Sequence, residues 1–306
     1  MKKQPANTSQ HSQNFKPSST PPKSANVKTS ETTAKVDTLQ AKTWNPNNPD
    51  SWEPDMRGYH SVEGSDYPLP SDEIEQNRLE LQHYGLRARF QGDIVCPEAR
   101  ELIKSDGTKI LDVGCAKGFW LESIQKKNPF CDYHGVDIDD DSSFDYVHQR
   151  LLIMGIPKNK FSDAIKELIR VTKPGGWIEL VEIDMVVYQA GPYSKQLSTA
   201  MLDAMQARGL DCYAATNLKW YTTGLSANIS NQDAKTVILP SNDETPVGKL
   251  TERNLHALFL GMEDWMHKSM GITREEYRRL VENSLAESIG YKSFWLASAL
   301  YFQVTK

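Results

Sequence analysis

The sequence predicts an α/β protein with a doubly wound, mostly parallel sheet, and three observations carry that reading. From Lys109 onward, short apolar runs that read as strands alternate with segments of helical period. The first run, Lys109-Ile-Leu-Asp-Val113, is closed by a turn of small residues, Gly114-Cys-Ala-Lys-Gly118, that opens a helix. An acid, Asp137, ends the next run 19 residues beyond Gly118. With 306 residues, 39% hydrophobic and 25% charged, the chain is long enough for one core-bearing domain or two modest ones.

Residues 1–50 are rich in Ser, Thr, Asn, Gln, Pro and Lys, with Phe15 and Trp44 as their only aromatics. They have too little apolar surface to offset ordering entropy, so a disordered tail is expected there and a folded domain over 51–306. Asp72 and Glu75 have the spacing of a capping box at the head of a first helix running through Arg78, Leu81 and Tyr84 towards Phe90. Pro97 opens a short helix to Lys104. The strand Lys109–Val113, the crossover helix Phe119–Lys126 and the strand Tyr133–Asp137 make a βαβ unit. Phe144–His148 reads as a further strand, and Phe161, Ala164, Ile165, Leu168 and Ile169 recur at helical spacing. Lys173-Pro-Gly-Gly176 turns that helix into the strand Trp177–Glu182.

A helical cap is expected within 185–290. Its first helix carries Leu197, Ala200, Met201, Ala204 and Met205 on one face, and a second carries Leu255 to Trp265. Thr273 and Glu276 form a capping box for a third. Thr236–Leu239 and Phe294–Val304 supply late strands.

Charge and cysteine content exclude several classes. The 35 basic and 40 acidic residues leave a formal charge of -5, distributed as +4 on residues 1–50 and -9 on the rest. The folded part has no positive field for nucleic acid or an anionic membrane. The longest nearly apolar run, Phe294–Phe302, is too short to span a bilayer, and no secretory signal core follows Met1. Cys96, Cys115, Cys131 and Cys212 have neither zinc-site nor disulfide-framework spacing, which suits a reducing compartment. The expected location is cytoplasmic or nuclear, with no bound metal.

The small-residue turn lets a ligand lie against backbone amides, and Asp137 stands at the distance where a carboxylate meets ribose hydroxyls, so a nucleoside cofactor is implied. Ala116 and Gly118 are separated by one residue, where a dinucleotide fingerprint needs two. Asp112, two residues ahead of the first glycine, would repel a pyrophosphate and suit a cationic sulfonium ligand bearing an ammonium group. Both features disfavour a nicotinamide-dependent oxidoreductase.

Here the chain resembles the class I S-adenosylmethionine-dependent methyltransferases, whose fold is Rossmann-like. Asp112-x-Gly114-x-Ala116-x-Gly118 is similar to their first motif, and Asp137 to their ribose-binding acid. Asp72-Glu-x-Glu75-x-x-Arg78-Leu-x-x-Gln82-His83, Ser143-Phe-Asp-Tyr-Val-His148-x-Arg150, Lys173–Glu182 and Thr273–Tyr277 are similar to the fungal group of secondary-metabolism regulators and trans-aconitate methyltransferases. The resemblance covers roughly 56–306. It implies a methyltransferase domain with S-adenosylmethionine held by Asp112, Gly114, Cys115, Ala116, Gly118, Asp137 and Ile138, and a small-molecule or protein acceptor. Arg78, Gln82 and His83 would belong to a helix lidding the cofactor, or to an ordinary charged face.

Methyl transfer needs positioning more than a base. The catalytic candidates are His148, expected at the pocket mouth, Glu182 at a strand's carboxyl end, and Tyr188; each has a structural alternative. Two departures from the family stand out. Ala116 replaces a usual glycine. Only six residues separate Asp137 from Phe144, where the fold normally places a helix and a strand, so the sheet is expected to lack one edge strand, and either the link is expected to be strained or the Phe144 strand to be shortened. The alternative function is a non-catalytic methyltransferase-like protein with an impaired cofactor site, acting through protein partners.

Overall fold

The computed structural model describes residues 57–59, 68–136 and 143–305; the expected tail over 1–50 lies outside them. Six strands form one sheet: β1 (Lys109–Val113), β2 (Asp132–Val136), β3 (Phe144–Arg150), β4 (Thr172–Ile183), β5 (Ile229–Pro240) and β6 (Phe294–Val304). Their order is β2-β1-β3-β4-β6-β5. Strands β2, β1, β3 and β4 pair in parallel, and β6 runs antiparallel to both β4 and β5. Among the described residues β2 is a sheet edge, in line with a missing edge strand.

Period-two alternation in these strands feeds two cores. Ile110, Tyr146 and Trp177 are register neighbours on one face, where α1 (Glu73–Phe90), α2 (Pro97–Leu102) and α3 (Phe119–Gln125) cover them. Leu111, Val147 and Ile178 are the next row and face the other way, against α4 (Phe161–Val171) and α6 (Ala214–Thr222). A sheet covered on both faces is what the nearly continuous burial along β3 and along the second half of β4 reflects. The remaining helices are α5 (Pro192–Ala207), α7 (Pro246–Gly261), α8 (Glu263–Met270) and α9 (Arg274–Tyr291). Of these, α7 packs on α1, and α9 on α5 and α8. None of the described helices is long and apolar enough to cross a membrane.

Several expectations need correction. Asp72 does cap α1, accepting from the Glu75 amide at 2.9 Å, but the Glu75 side chain does not return to the cap. It is buried and clamps Arg78 at 2.6–3.0 Å instead. The Thr273 box is present in both directions. The run Leu255–Trp265 is two helices, because the chain breaks at the fully buried Met262. Helix α2 ends at Leu102, and α6 was not foreseen. Strand β3, with seven residues against five in β1, is not shortened.

Candidate functional site

The carboxyl ends of β1, β3 and β4 open into a cleft. One wall is the turn after β1. Gly114 and Gly118 adopt φ of 71° and 79°, where a side chain is strained, and a Cβ at Gly114 would stand 2.5 Å from the Leu152 Cδ2 atom. Ala116 holds φ 47°, so its departure from glycine has a backbone cause as well as a methyl group: a non-glycine residue there costs about 1 kcal/mol. The Gly118 amide donates to Cys115 O at 2.8 Å, closing the turn, and Gly118 itself precedes α3 as its cap.

Asp112, Gly114, Cys115 and Ala116 line the cleft; Arg78 and Gln82 from α1 stand over it. Arg150 at the end of β3 and residues 151–154 after it, with Ile183 at the end of β4 and Met185 after it, complete its floor. Asp137 and Ile138 lie outside the described residues. The strand leading to them ends with Val136 opposite Val113, and Gly135 lies against Cys115, whose Sγ would be 2.8 Å from an added Cβ.

Asp112 is 4% exposed, and its Oδ1 is 2.8 Å from His148 Nδ1. The parallel register explains the contact. Asp112, His148 and Glu179 are direct neighbours across β1, β3 and β4, forming a buried polar row on the face covered by α1–α3. The His148 ring lies parallel to the Trp120 indole, with centroids 3.8 Å apart. Glu179 accepts from the Val95 and Cys96 amides at 2.8 and 2.7 Å, and burial raises its pKa.

The three catalytic candidates all have structural partners. His148 is 1% exposed, buried between Trp120 and Asp112 rather than at the pocket mouth. Glu182 is fully buried and accepts from the Leu152 amide at 2.9 Å, which fixes the turn after β3 that forms the cleft floor. Tyr188 donates to Asp184 at 2.7 Å and stacks on Phe294; burial, and then the Asp184 carboxylate, push its pKa up to about 12. Asp184 also accepts from the Thr216 amide and hydroxyl, which ties β4 to α6. The sequence alone assigns no role to Trp120, Glu179 or Arg150. Aligning the motifs around Asp112 and His148 as parallel neighbours would have exposed the polar row.

Burial pushes the Glu182 pKa up to about 8, against the lowering effect of the Leu152 and Ile153 amides. Between the ordinary value of 4.5 and about 8, the folded chain then holds a proton that the unfolded chain has lost. Stability from this group is full below the lower limit and declines as pH rises through the upper one. The melting temperature should fall by several degrees between pH 5 and pH 8.5, and Glu182→Gln should flatten that slope. Identical slopes in thermal denaturation of the two proteins would contradict this.

The doubly wound sheet, the small-residue turn after its first strand and the buried acid ahead of that turn are those of an α/β fold of the class I methyltransferase type. Residues 86–224 match the family model described as a methyltransferase domain. It is similar to the secondary metabolism regulator laeA of Coprinopsis cinerea, 31% identical over 199 residues that span 51% of this chain and 49% of that protein. Methyltransferase str2 of Strobilurus tenacellus is 26% identical over 280 residues, 80% of this chain and 98% of that one. The chain thus spans about half the length of the first relative and nearly all of the second. Among solved structures, an S-adenosylmethionine-dependent methyltransferase from Archaeoglobus fulgidus matches with a TM-score of 0.42 at 12% identity, over 76% of this chain and 100% of that one.

Proposed function

We propose that the chain transfers a methyl group from S-adenosylmethionine to a small-molecule or protein acceptor. The carrying observation is that Asp112, fixed by His148, lines the same cleft as the turn in which a Cβ at Gly114 would strike Leu152. The residues suit the cofactor: a buried carboxylate complements its cationic end, and the crowded glycine leaves backbone exposed beside it. The bound cofactor supplies an electrophilic methyl group on a sulfonium. The protein's part is positional. Asp112, Gly114, Cys115 and Ala116 would hold the cofactor with Gly118, Asp137 and Ile138, while Leu152 and Ile183 exclude water from the cleft.

None of the three candidate bases lines this cleft, which suits a reaction driven by alignment. The acceptor would enter over residues 150–154 beneath α1. No nucleic-acid or membrane partner is expected, and the location expected for the chain is cytoplasmic or nuclear. The second reading, a non-catalytic protein acting through partners, is favoured by the six residues between Asp137 and Phe144 and by β2 at the sheet edge.

Calorimetric titration with S-adenosylhomocysteine tests the choice. Micromolar binding that weakens at least roughly tenfold in Gly114→Val, where the new side chain meets Leu152, supports the enzyme. Absent binding in the intact, folded chain favours the relic.

A further inference from the structure

The cleft contains a second charge to which the sequence motifs give no task. Arg150, the last residue of β3, lines it beside Asp112 and the Gly114 turn. Its guanidinium makes a hydrogen bond to His83 Nδ1 at 3.2 Å, and among the described residues it forms no ion pair with a carboxylate within 4 Å. Three acids nearby are already engaged. Asp112 is held by His148. Glu179 takes two backbone amides. Asp93 takes Lys127 at 2.7 Å, Ser123 at 3.0 Å and Arg87 at 3.3 Å. The other arginine at the cleft, Arg78, is consumed by Glu75 and by Asn254 at 3.0 Å.

His83 adds no charge of its own near neutrality. Burial, and then the charge of Arg150, push its pKa down to about 4, which leaves Nδ1 free to accept from the guanidinium. That hydrogen bond orients the fork while the remaining N–H donors stay unspent. Asp112, Asp93 and Glu179 act on the guanidinium through space without an ion-pair contact, so a ligand that supplies direct partners in this partly desolvated cleft completes it. A guanidinium matches a carboxylate in two parallel hydrogen bonds.

We propose that Arg150 is the carboxylate receptor of this cleft, complementing the acid Asp112 a strand away. The inference rests on the functional reading above. Two ligands bring a carboxylate to this place: the amino-acid end of the cofactor, which offers an ammonium to Asp112 and a carboxylate to Arg150, and an acidic methyl acceptor. Asp112 and Arg150 lie on adjacent strands, in line with one zwitterion bridging them.

The test compares S-adenosylhomocysteine with its decarboxylated analogue on the full chain, on Arg150→Gln and on Arg150→Lys. If the cofactor supplies the carboxylate, Arg150→Gln weakens S-adenosylhomocysteine binding at least roughly tenfold, Arg150→Lys recovers part of it, and the decarboxylated analogue is unaffected. If the acceptor supplies it, cofactor affinity is unchanged, while citrate binds the S-adenosylhomocysteine-loaded wild-type chain and not the loaded Arg150→Gln variant. The proposal is overturned if neither carboxylate responds in a folded variant, or if both cofactor analogues weaken equally. Should Arg150→Gln not fold, the wild-type preference for the carboxylated ligand must shrink in Arg150→Lys, and an unchanged preference overturns the proposal. Failure of the wild-type chain to bind S-adenosylhomocysteine would instead remove the functional reading, and this inference with it.

Discussion

Replacing Trp120 with alanine should cost about 3–5 kcal/mol of stability, among the largest effects open to a single substitution in this chain. The indole is 2% exposed, lies parallel to the His148 ring and sits 6.2 Å from the Tyr146 ring. Its Nε1 donates to Asp93 O at 2.6 Å. Alanine would open a cavity, orphan that carbonyl and leave His148 without the wall that fixes its plane. Because His148 holds Asp112, cofactor affinity should fall with stability. Trp120→Phe keeps an aromatic ring for the stack and loses the N–H and part of the indole's volume, so it should cost less, about 1–2 kcal/mol. Urea denaturation with S-adenosylhomocysteine titration on the folded variants checks both; an alanine variant within about 1 kcal/mol of wild type would show that the stack does not carry the site.

That stack also shows where reading from sequence ends. Strand period, the glycine turn and the Thr273 box are local: each is decided within a few residues, and each is found in the structure. The Asp112–His148 contact spans 36 positions and exists only because β1 and β3 pair in parallel with those residues in register. His148 looked like a base at a strand end because its stacking partner lies on a helix whose rotation no spacing rule supplies. Glu75 shows the same limit on a smaller scale. Its position at N3 suits a capping box or an ion pair with Arg78 equally well, and burial against α7 selects the latter. Met262 carried a helical period across a break, because a fully buried residue at a junction keeps the apolar spacing of a continuous helix. Arg150 was visible in its motif, but its lack of a carboxylate partner is a property of three dimensions.

Insertion of a family-length helix and strand between Asp140 and Ser142 should raise cofactor affinity on the order of a hundredfold, a few kcal/mol of stacking and hydrogen bonding. The argument starts from topology. Strand β1 lies between β2 and β3, so the seven residues 137–143 join a strand at one side of β1 to a parallel strand at its other side. Returning along a five-residue strand takes roughly 16 Å and crossing two strand spacings roughly 10 Å, while eight virtual bonds reach at most about 29 Å. A link spent on that span has no length for a second wall around adenine. The segment to insert is about 25–35 residues, the sum of a usual crossover and one strand. Asp137 is the acid that the sequence motif assigns to ribose, so Asp137→Ala should weaken binding at least roughly tenfold in the lengthened chain, through lost charge-assisted hydrogen bonds to ribose. Calorimetry on both chains measures the difference. Equal affinity would mean that the short link suffices to complete the pocket, and the non-catalytic alternative would lose its main support.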